Sequence, residues 1–297
     1  LAAKRRFQGL KGFVNGVLRA ISREKGRLTF PDESVRYSIP RWIYDMWMEE
    51  YPQETVRAML QAFLEKRRLC VRCRGSKSDP GQIRDSLSRQ GVVVEDSGYG
   101  DDIVFLDRVD YLEKLEAFQK GWIQIQDLSS AMAVRAAGPR KGWRCIDVCG
   151  APGGKSLYLA DLLEGTGMVE VRDISQRKAD LIQENVRRLG YANVKVRVMD
   201  ALCEDEQSVE TADLVLADLP CSGLGVLGRK PDIKLRATRE SMEALAGLQR
   251  DILSVVWRYV KPGGILVYST CTISRRENEE NRAWFLKQFP FEPVHIQ

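Results

Sequence analysis

The chain predicts an α/β fold with a doubly wound parallel sheet, preceded by a small α+β unit and a helical segment. Three observations carry that reading. From residue 140 onward, short apolar runs alternate with segments of helical length and pattern. A glycine-rich strand-to-helix turn, Asp147-Val-Cys-Gly-Ala-Pro-Gly-Gly-Lys-Ser156, opens this region. The apolar runs that follow end at Asp173, Asp200, Asp218 and Ser269. Near-continuous apolar strands separated by helices argue for a parallel sheet covered on both faces.

The elements follow in order. Residues 7–24 read as a helix, with Phe13, Val17 and Ile21 on one stripe and Leu10, Val14 and Leu18 beside it. Pro31 to Pro40 reads as a linker. Helices are predicted near 40–50 and 53–66, divided by Pro52. A strand at Leu69–Cys73 and a helix near 80–90 precede two strands, Gly91–Glu95 and Ile103–Leu106, around a Gly/Asp turn. In the second half, strands are predicted at 143–148, 168–173, 194–199, 213–218 and 264–270. Helices fit 153–164, 175–189, 239–260 and 275–288. In the second of these Ile182, Val186 and Leu189 share a face, and Gly190 supplies the stop. The predicted division is 1–28, 29–118 and 119–297.

Composition narrows the function. No apolar run approaches the ~20 residues that span a bilayer, so no membrane role is expected. Leu1-Ala-Ala-Lys-Arg-Arg6 lacks an apolar signal core and reads as a fragment or processed end. Residues 1–45 hold ten Lys/Arg against four Asp/Glu, whereas the remainder holds 36 against 37. A basic front on a near-neutral body suits a polyanion such as nucleic acid, although a solvated helix face accounts for it equally well. Seven cysteines, an odd number in a long chain, fit a reducing cytoplasm better than a secreted disulfide scaffold.

Cys70-Val-Arg-Cys73 is a lone CxxC. A structural zinc needs four ligands, and the only histidine is the distant His295. Residues three apart in a strand point to opposite faces. The pair is therefore read as strand residues, and no metal is expected. The single histidine also disfavours Ser-His-Asp and Cys-His arrangements, so an activated thiol here works without a histidine base.

The loop Cys149, Gly150, Ala151, Pro152, Gly153, Gly154, Lys155 is the candidate ligand cradle. Glycine lets backbone approach a ligand closely, and the following helix offers free N–H groups. A P-loop needs G-x-x-x-x-G-K-[ST]; Gly150 to Gly154 is one residue too short. The dinucleotide pattern G-x-G-x-x-G is absent. A ligand with a carboxylate and no phosphates, such as S-adenosylmethionine, fits the shorter turn. Asp173, twenty residues after Gly153, is placed for ribose hydroxyls, and Asp200 for the adenine side. Asp218 ends the next strand. Any one of these could be a cap or turn residue; three at successive strand ends point to a ligand site.

Two thiols, Cys221 in Asp218-Leu-Pro-Cys-Ser-Gly and Cys271 in Ser269-Thr-Cys-Thr, follow strands in the same region. Together with Gly121-Trp-Ile-Gln-Ile-Gln-Asp-Leu-Ser-Ser130, the Asp147–Ser156 loop, Val171-Arg-Asp-Ile-Ser175, and Arg229-Lys-Pro-Asp-Ile233, they resemble the Sun-type, RsmB-like RNA cytosine-carbon-5 methyltransferases over about 30–290. The resemblance implies an S-adenosylmethionine-dependent methyltransferase core and an α+β RNA-binding domain. It also implies the remnant of a helical, NusB-like RNA-binding domain at the front. It further implies Cys271 as the nucleophile on cytosine carbon 6, Cys221 as the group that helps release product, and Asp218 at the polar edge of the base. The residues themselves do not order the two cysteines, but they require the fourth and fifth core strands to be neighbours. A nucleophilic thiol needs a nearby cation or dipole; Lys155, Arg229 and Lys230 are candidates. Arg229 and Lys230 could instead hold RNA phosphates. Gln126, Asp127, Ser129 and Ser130 are read first as a helix cap.

Two departures stand out. Gly150 replaces the family's usual Ala, which is expected to be harmless. The chain is read as shortened at both ends, short of the last strand of the fold. The expected function is methylation of cytosine in RNA, most simply 16S ribosomal RNA, by a cytoplasmic monomer. The alternatives are tRNA or DNA as substrate, or a non-catalytic RNA-binding assembly factor.

Overall fold

The computed structural model describes residues 8–65 and 68–294; His295 lies outside the described residues. Residues 1–64 and 65–297 form two units. The first contains α1 (Lys11–Glu24), α2 (Glu33–Arg36), α3 (Arg41–Glu50) and α4 (Gln53–Leu64). The predicted linker holds α2 because Asp32 caps it, accepting from the Val35 N–H at 3.1 Å. Ile43, Trp47, Val56 and Leu60 are buried on α3 and α4. The predicted stripe on α1 is present, but Phe13 and Ile21 are 71% and 52% exposed.

The second unit begins with an antiparallel sheet of β1 (Leu69–Cys73), β2 (Val93–Asp96), β3 (Ile103–Asp107) and β4 (Ile123–Ile125) in the order β2-β3-β1-β4. Two helices accompany it, α5 (Pro80–Arg89) and α6 (Glu116–Gln119). Cys70 and Cys73 fall on opposite faces, as their spacing predicted. Cys70 packs with Leu157 and Tyr158, and Cys73 with Ile83 and Leu87. Burial pushes both thiols up to about 11, which leaves them inert.

After α7 (Leu128–Ala136) comes the parallel sheet. Its strands are β5 (Arg144–Asp147), β6 (Met168–Asp173), β7 (Val194–Val198), β8 (Ala212–Asp218) and β9 (Val260–Ser269), in the order β7-β6-β5-β8-β9. The helices are α8 (Gly154–Leu162), α9 (Gln176–Leu189), α10 (Ile233–Arg236), α11 (Arg239–Val256) and α12 (Glu279–Gln288). Leu157, Leu159, Ile182 and Val186 cover one face of the sheet, and Ile252, Leu253, Val256 and Phe285 the other. This is the doubly wound core that the alternation predicted. Successive strands run outward from β5 in opposite directions, and such a switch point opens a ligand crevice at the carboxyl edge.

A buried ionic cluster fastens β1 to this core. Arg72 and Arg74, both almost fully buried, converge on Asp161 of α8. Arg74 also donates to the carbonyls of Gly121 and Leu189, at 3.0 and 2.8 Å, and the Tyr191 hydroxyl donates to Asp161 at 2.7 Å. Burial alone would raise the Asp161 pKa; the two guanidinium groups bring it below the ordinary carboxylate value.

Candidate active site

β8 and β9 lie side by side in parallel register, with Asp218 opposite Ser269. The strands end together, so the loops that follow start from adjacent points. Leu219 N–H still donates to the Ser269 carbonyl, at 3.1 Å, and Gly225 N–H to the Cys271 carbonyl, at 3.0 Å. These two loops carry the cysteines. The sulfurs of Cys221 and Cys271 stand 3.2 Å apart, and the Cys271 N–H points at the Cys221 sulfur, also at 3.2 Å. Cys271 is exposed and Cys221 half-buried. The neighbourhood of the fourth and fifth strands, required by the sequence, is therefore met at the level of the sulfur atoms.

The two thiols are not equivalent. A hydrogen bond from the Cys221 thiol lowers the Cys271 pKa to about 7, against burial and the Asp218 carboxylate, which raise it. Lys155 and Lys230 add to the lowering. The same pairing drives Cys221 upward, so it keeps its proton. As the pH rises through neutrality the pair therefore gives up its first proton from Cys271, while Cys221 keeps its own. Arg229, the third candidate cation, is used elsewhere: it pairs with Asp127. Asp127 is the N-cap of α7, accepting from the Ser129 N–H at 3.1 Å, so the cap reading holds.

A polar chain joins the sulfurs' strands to the glycine loop. Asp218 accepts from the Ser269 hydroxyl at 2.7 Å through one oxygen and from the Lys155 ammonium at 2.6 Å through the other. Lys155 stands in the first turn of α8. The loop before it turns at Gly153, whose φ of +103° is a glycine conformation. Gly150 N–H donates to the Arg172 carbonyl at 2.8 Å, which seats the loop against β6. A Cβ built on Gly150 would lie 2.3 Å from Val171 Cγ1 and 2.9 Å from Ser156 Oγ. The glycine in place of alanine is thus not interchangeable with it here: neighbouring side chains have taken the space. Asp147, fully buried, is pushed up to about 7 by burial and is held by the Ser156 hydroxyl.

Residues 134–293 match the model of the 16S rRNA methyltransferase RsmB/F family, and residues 39–111 match that family's ferredoxin-like domain. The chain belongs to the RsmB/F methyltransferase family. It is 36% identical to the probable ribosomal RNA small subunit methyltransferase B of Bacillus subtilis over 99% of this chain and 67% of that protein. It is 33% identical to ribosomal RNA small subunit methyltransferase B of Klebsiella pneumoniae, over 96% of this chain and 66% of that protein. The chain therefore spans about two thirds of the length of these curated relatives. Among solved structures it resembles a methyltransferase homologue from Pyrococcus horikoshii (TM-score 0.76, 28% identity, 88% of this chain, 84% of that one). It also shares its fold with NSun6 from the same organism (TM-score 0.77, 22% identity, 84% of this chain, 87% of that one).

An RsmB/F methyltransferase uses S-adenosylmethionine, and the residues present suit that ligand. Asp173, at the end of β6, is buried, and one oxygen accepts from the Ser175 N–H at 3.2 Å. Its other oxygen accepts no hydrogen bond among the described residues. Asp200 lies two residues beyond β7 rather than on it. One of its oxygens caps the turn at Leu202 N–H, 2.9 Å away, so the cap reading applies to that oxygen. Ile174 and Leu202 are exposed beside these acids, apolar surface of the kind an adenine ring covers. Gly153 and Gly154 open the N-terminus of α8, where a carboxylate is favoured. Burial pushes the Cys149 thiol up to about 12, so it stays protonated.

The sequence left a second layer of the site unread. Ser222, Thr272, Gln249 and Glu277 form a buried hydrogen-bonded group beside the cysteine loops. Glu277 lies six residues past Cys271 in a charged run that looks like solvated helix. Only its burial, which a single sequence does not display, marks it.

Proposed function

We propose that this chain transfers the methyl group of S-adenosylmethionine to carbon 5 of a cytosine in RNA through a covalent adduct on Cys271. The single observation that carries this reading is the pair of unlike sulfurs, 3.2 Å apart, beside Lys155 and Asp218. Cytosine is a poor nucleophile at carbon 5. Addition of the Cys271 thiolate to carbon 6 moves electron density to carbon 5 and makes it enamine-like. When bound, the cofactor supplies a methyl group on a sulfonium. Once carbon 5 carries that methyl, loss of its proton and breakage of the carbon–sulfur bond restore the aromatic ring and return the thiolate. Cys221 assists this release: its thiol hands its proton to the departing Cys271 sulfur and takes up the carbon-5 proton, and loss of one proton to water restores the thiolate–thiol pair. Asp218, ordered by Ser269 and Lys155, meets the amino edge of the base. The target base must leave its stack to reach sulfurs at a sheet edge.

The family's description favours 16S ribosomal RNA as the substrate, and the relatives' names favour small-subunit ribosomal RNA. We assign Cys149–Lys155, Asp173 and Asp200 to the cofactor because the glycine loop and both acids lie at the carboxyl edge of the sheet. On the same reading residues 29–118, with β4 completing their sheet, form an RNA-binding domain. Residues 119–297 form the catalytic domain. The protein acts in the cytoplasm as a monomer without metal. Tritiated S-adenosylmethionine, 16S RNA, tRNA and DNA test the proposal. Label in RNA that digests to 5-methylcytidine is the expected outcome; label in DNA alone, or on another atom of the base, overturns it.

A further inference from the structure

Glu277 is completely buried, and no Lys or Arg among the described residues pairs with it. A bare carboxylate is costly in such a place unless hydrogen bonds replace its water. Three donors do so. The Ser222 N–H donates to one oxygen at 2.8 Å, and the Gln249 amide to the same oxygen at 3.1 Å. The Ser222 hydroxyl donates to the other oxygen. Ser222 has one hydroxyl proton, and a carboxylate only accepts. The contact between Ser222 Oγ and Thr272 Oγ1, at 2.8 Å, therefore runs from threonine to serine. The Gln249 amide also donates to the Pro220 carbonyl, at 2.8 Å.

The pattern of these partners is what matters. Pro220 and Ser222 flank Cys221 on both sides, and Thr272 follows Cys271. Neither cysteine lies in a regular element, and both residues are at least partly exposed; the bond from Gly225 N–H to the Cys271 carbonyl joins the loops on one side of the sulfurs, and the Ser222 contacts join them on the other. One carboxylate ties the two loops together while touching neither sulfur.

We infer that Glu277 is a positioning residue that holds the two sulfurs in donor–acceptor contact. This rests on the proposed use of both cysteines, but its test does not need RNA. The full chain is prepared with Glu277→Ala, Glu277→Gln and Ser222→Ala, and the pH profile of iodoacetamide alkylation is followed at Cys271 by peptide mass spectrometry. Loosening the contact costs Cys271 its thiol donor, so the midpoint moves up by about one pH unit in Glu277→Ala. It moves less in Ser222→Ala, which keeps the Ser222 N–H bond. Glu277→Gln retains one acceptor oxygen and falls between wild type and Glu277→Ala. In methyl transfer, kcat falls roughly tenfold or more while the KM for S-adenosylmethionine holds, because a small misplacement of a reacting group is expensive. Should Glu277→Ala not fold, Ser222→Ala carries the test. A wild-type alkylation profile in folded Ser222→Ala overturns the inference. Absence of methyl transfer from every protein, wild type included, with the midpoints shifted as expected would overturn the cytosine chemistry and leave the positioning role standing.

Discussion

Removing the Cys221 thiol is expected to take away the largest influence that keeps Cys271 ionised near neutrality. In Cys221→Ala the remaining influences oppose one another: burial and Asp218 raise the Cys271 pKa, while Lys155 and Lys230 lower it. The thiol then returns to at least the ordinary value of about 8.5. With its pKa at about 7, Cys271 is about half thiolate at pH 7; at 8.5 it is about 3% thiolate. A more basic thiolate is also a better nucleophile, by roughly fivefold for a change of about 1.5 in pKa at a Brønsted slope of ~0.45. Alkylation of Cys271 should therefore slow by about three- to fourfold at pH 7, yet run about fivefold faster than wild type near pH 10. The two profiles cross. Cys221→Ser, which keeps a donor, should stay close to wild type at both ends. Stopped-time iodoacetamide labelling, with the Cys271 peptide quantified by mass spectrometry, reads this directly. A Cys221→Ala profile that stays parallel to wild type, with its midpoint still near 7, would refute the shared-proton arrangement.

Two further outcomes follow from the fold. Asp161→Asn leaves Arg72 and Arg74 buried without their counter-charge, and breaking a buried pair on one side costs about 3–5 kcal/mol. The urea midpoint should fall accordingly, and a change under about 1 kcal/mol would mean that the cluster is not held together by this carboxylate. Gly150→Ala drives a methyl group into Val171 and Ser156, an overpacking cost of about 1–3 kcal/mol. Calorimetry should show S-adenosylmethionine binding weakened by about an order of magnitude, whereas unchanged affinity and melting temperature would show that Val171 yields freely.

Much of the core was legible because its signals are local. Apolar runs bounded by Gly and Asp placed β5, β6 and β8 within a residue or so of their observed limits, and Gly190 ends α9 in a left-handed conformation as read. The spacing of Cys70 and Cys73 correctly separated them onto two faces of one strand. What the sequence hid was non-local. β4 is three residues long and owes its existence to pairing with β1 fifty residues earlier, so no periodicity announces it. Arg229 looked available to the thiol or to RNA, but its partner, Asp127, is remote in sequence. Gly150 reads as a harmless stand-in for alanine, but the sequence does not show that Val171 lies where a Cβ would stand. The two cysteines likewise differ in environment: Cys271 is the more exposed and has both lysines lowering its pKa, and the Cys221 thiol is driven upward beside it.

Every part of the proposed chemistry depends on bond formation by one sulfur and release by the other. The most direct measurement incubates Cys221→Ala and Cys271→Ala with 16S RNA and S-adenosylmethionine, and maps any protein–RNA cross-link by mass spectrometry. A stable adduct on Cys271 in the first protein, and none in the second, is the predicted result. An adduct that forms in Cys271→Ala through Cys221, or full turnover without Cys271, would contradict it.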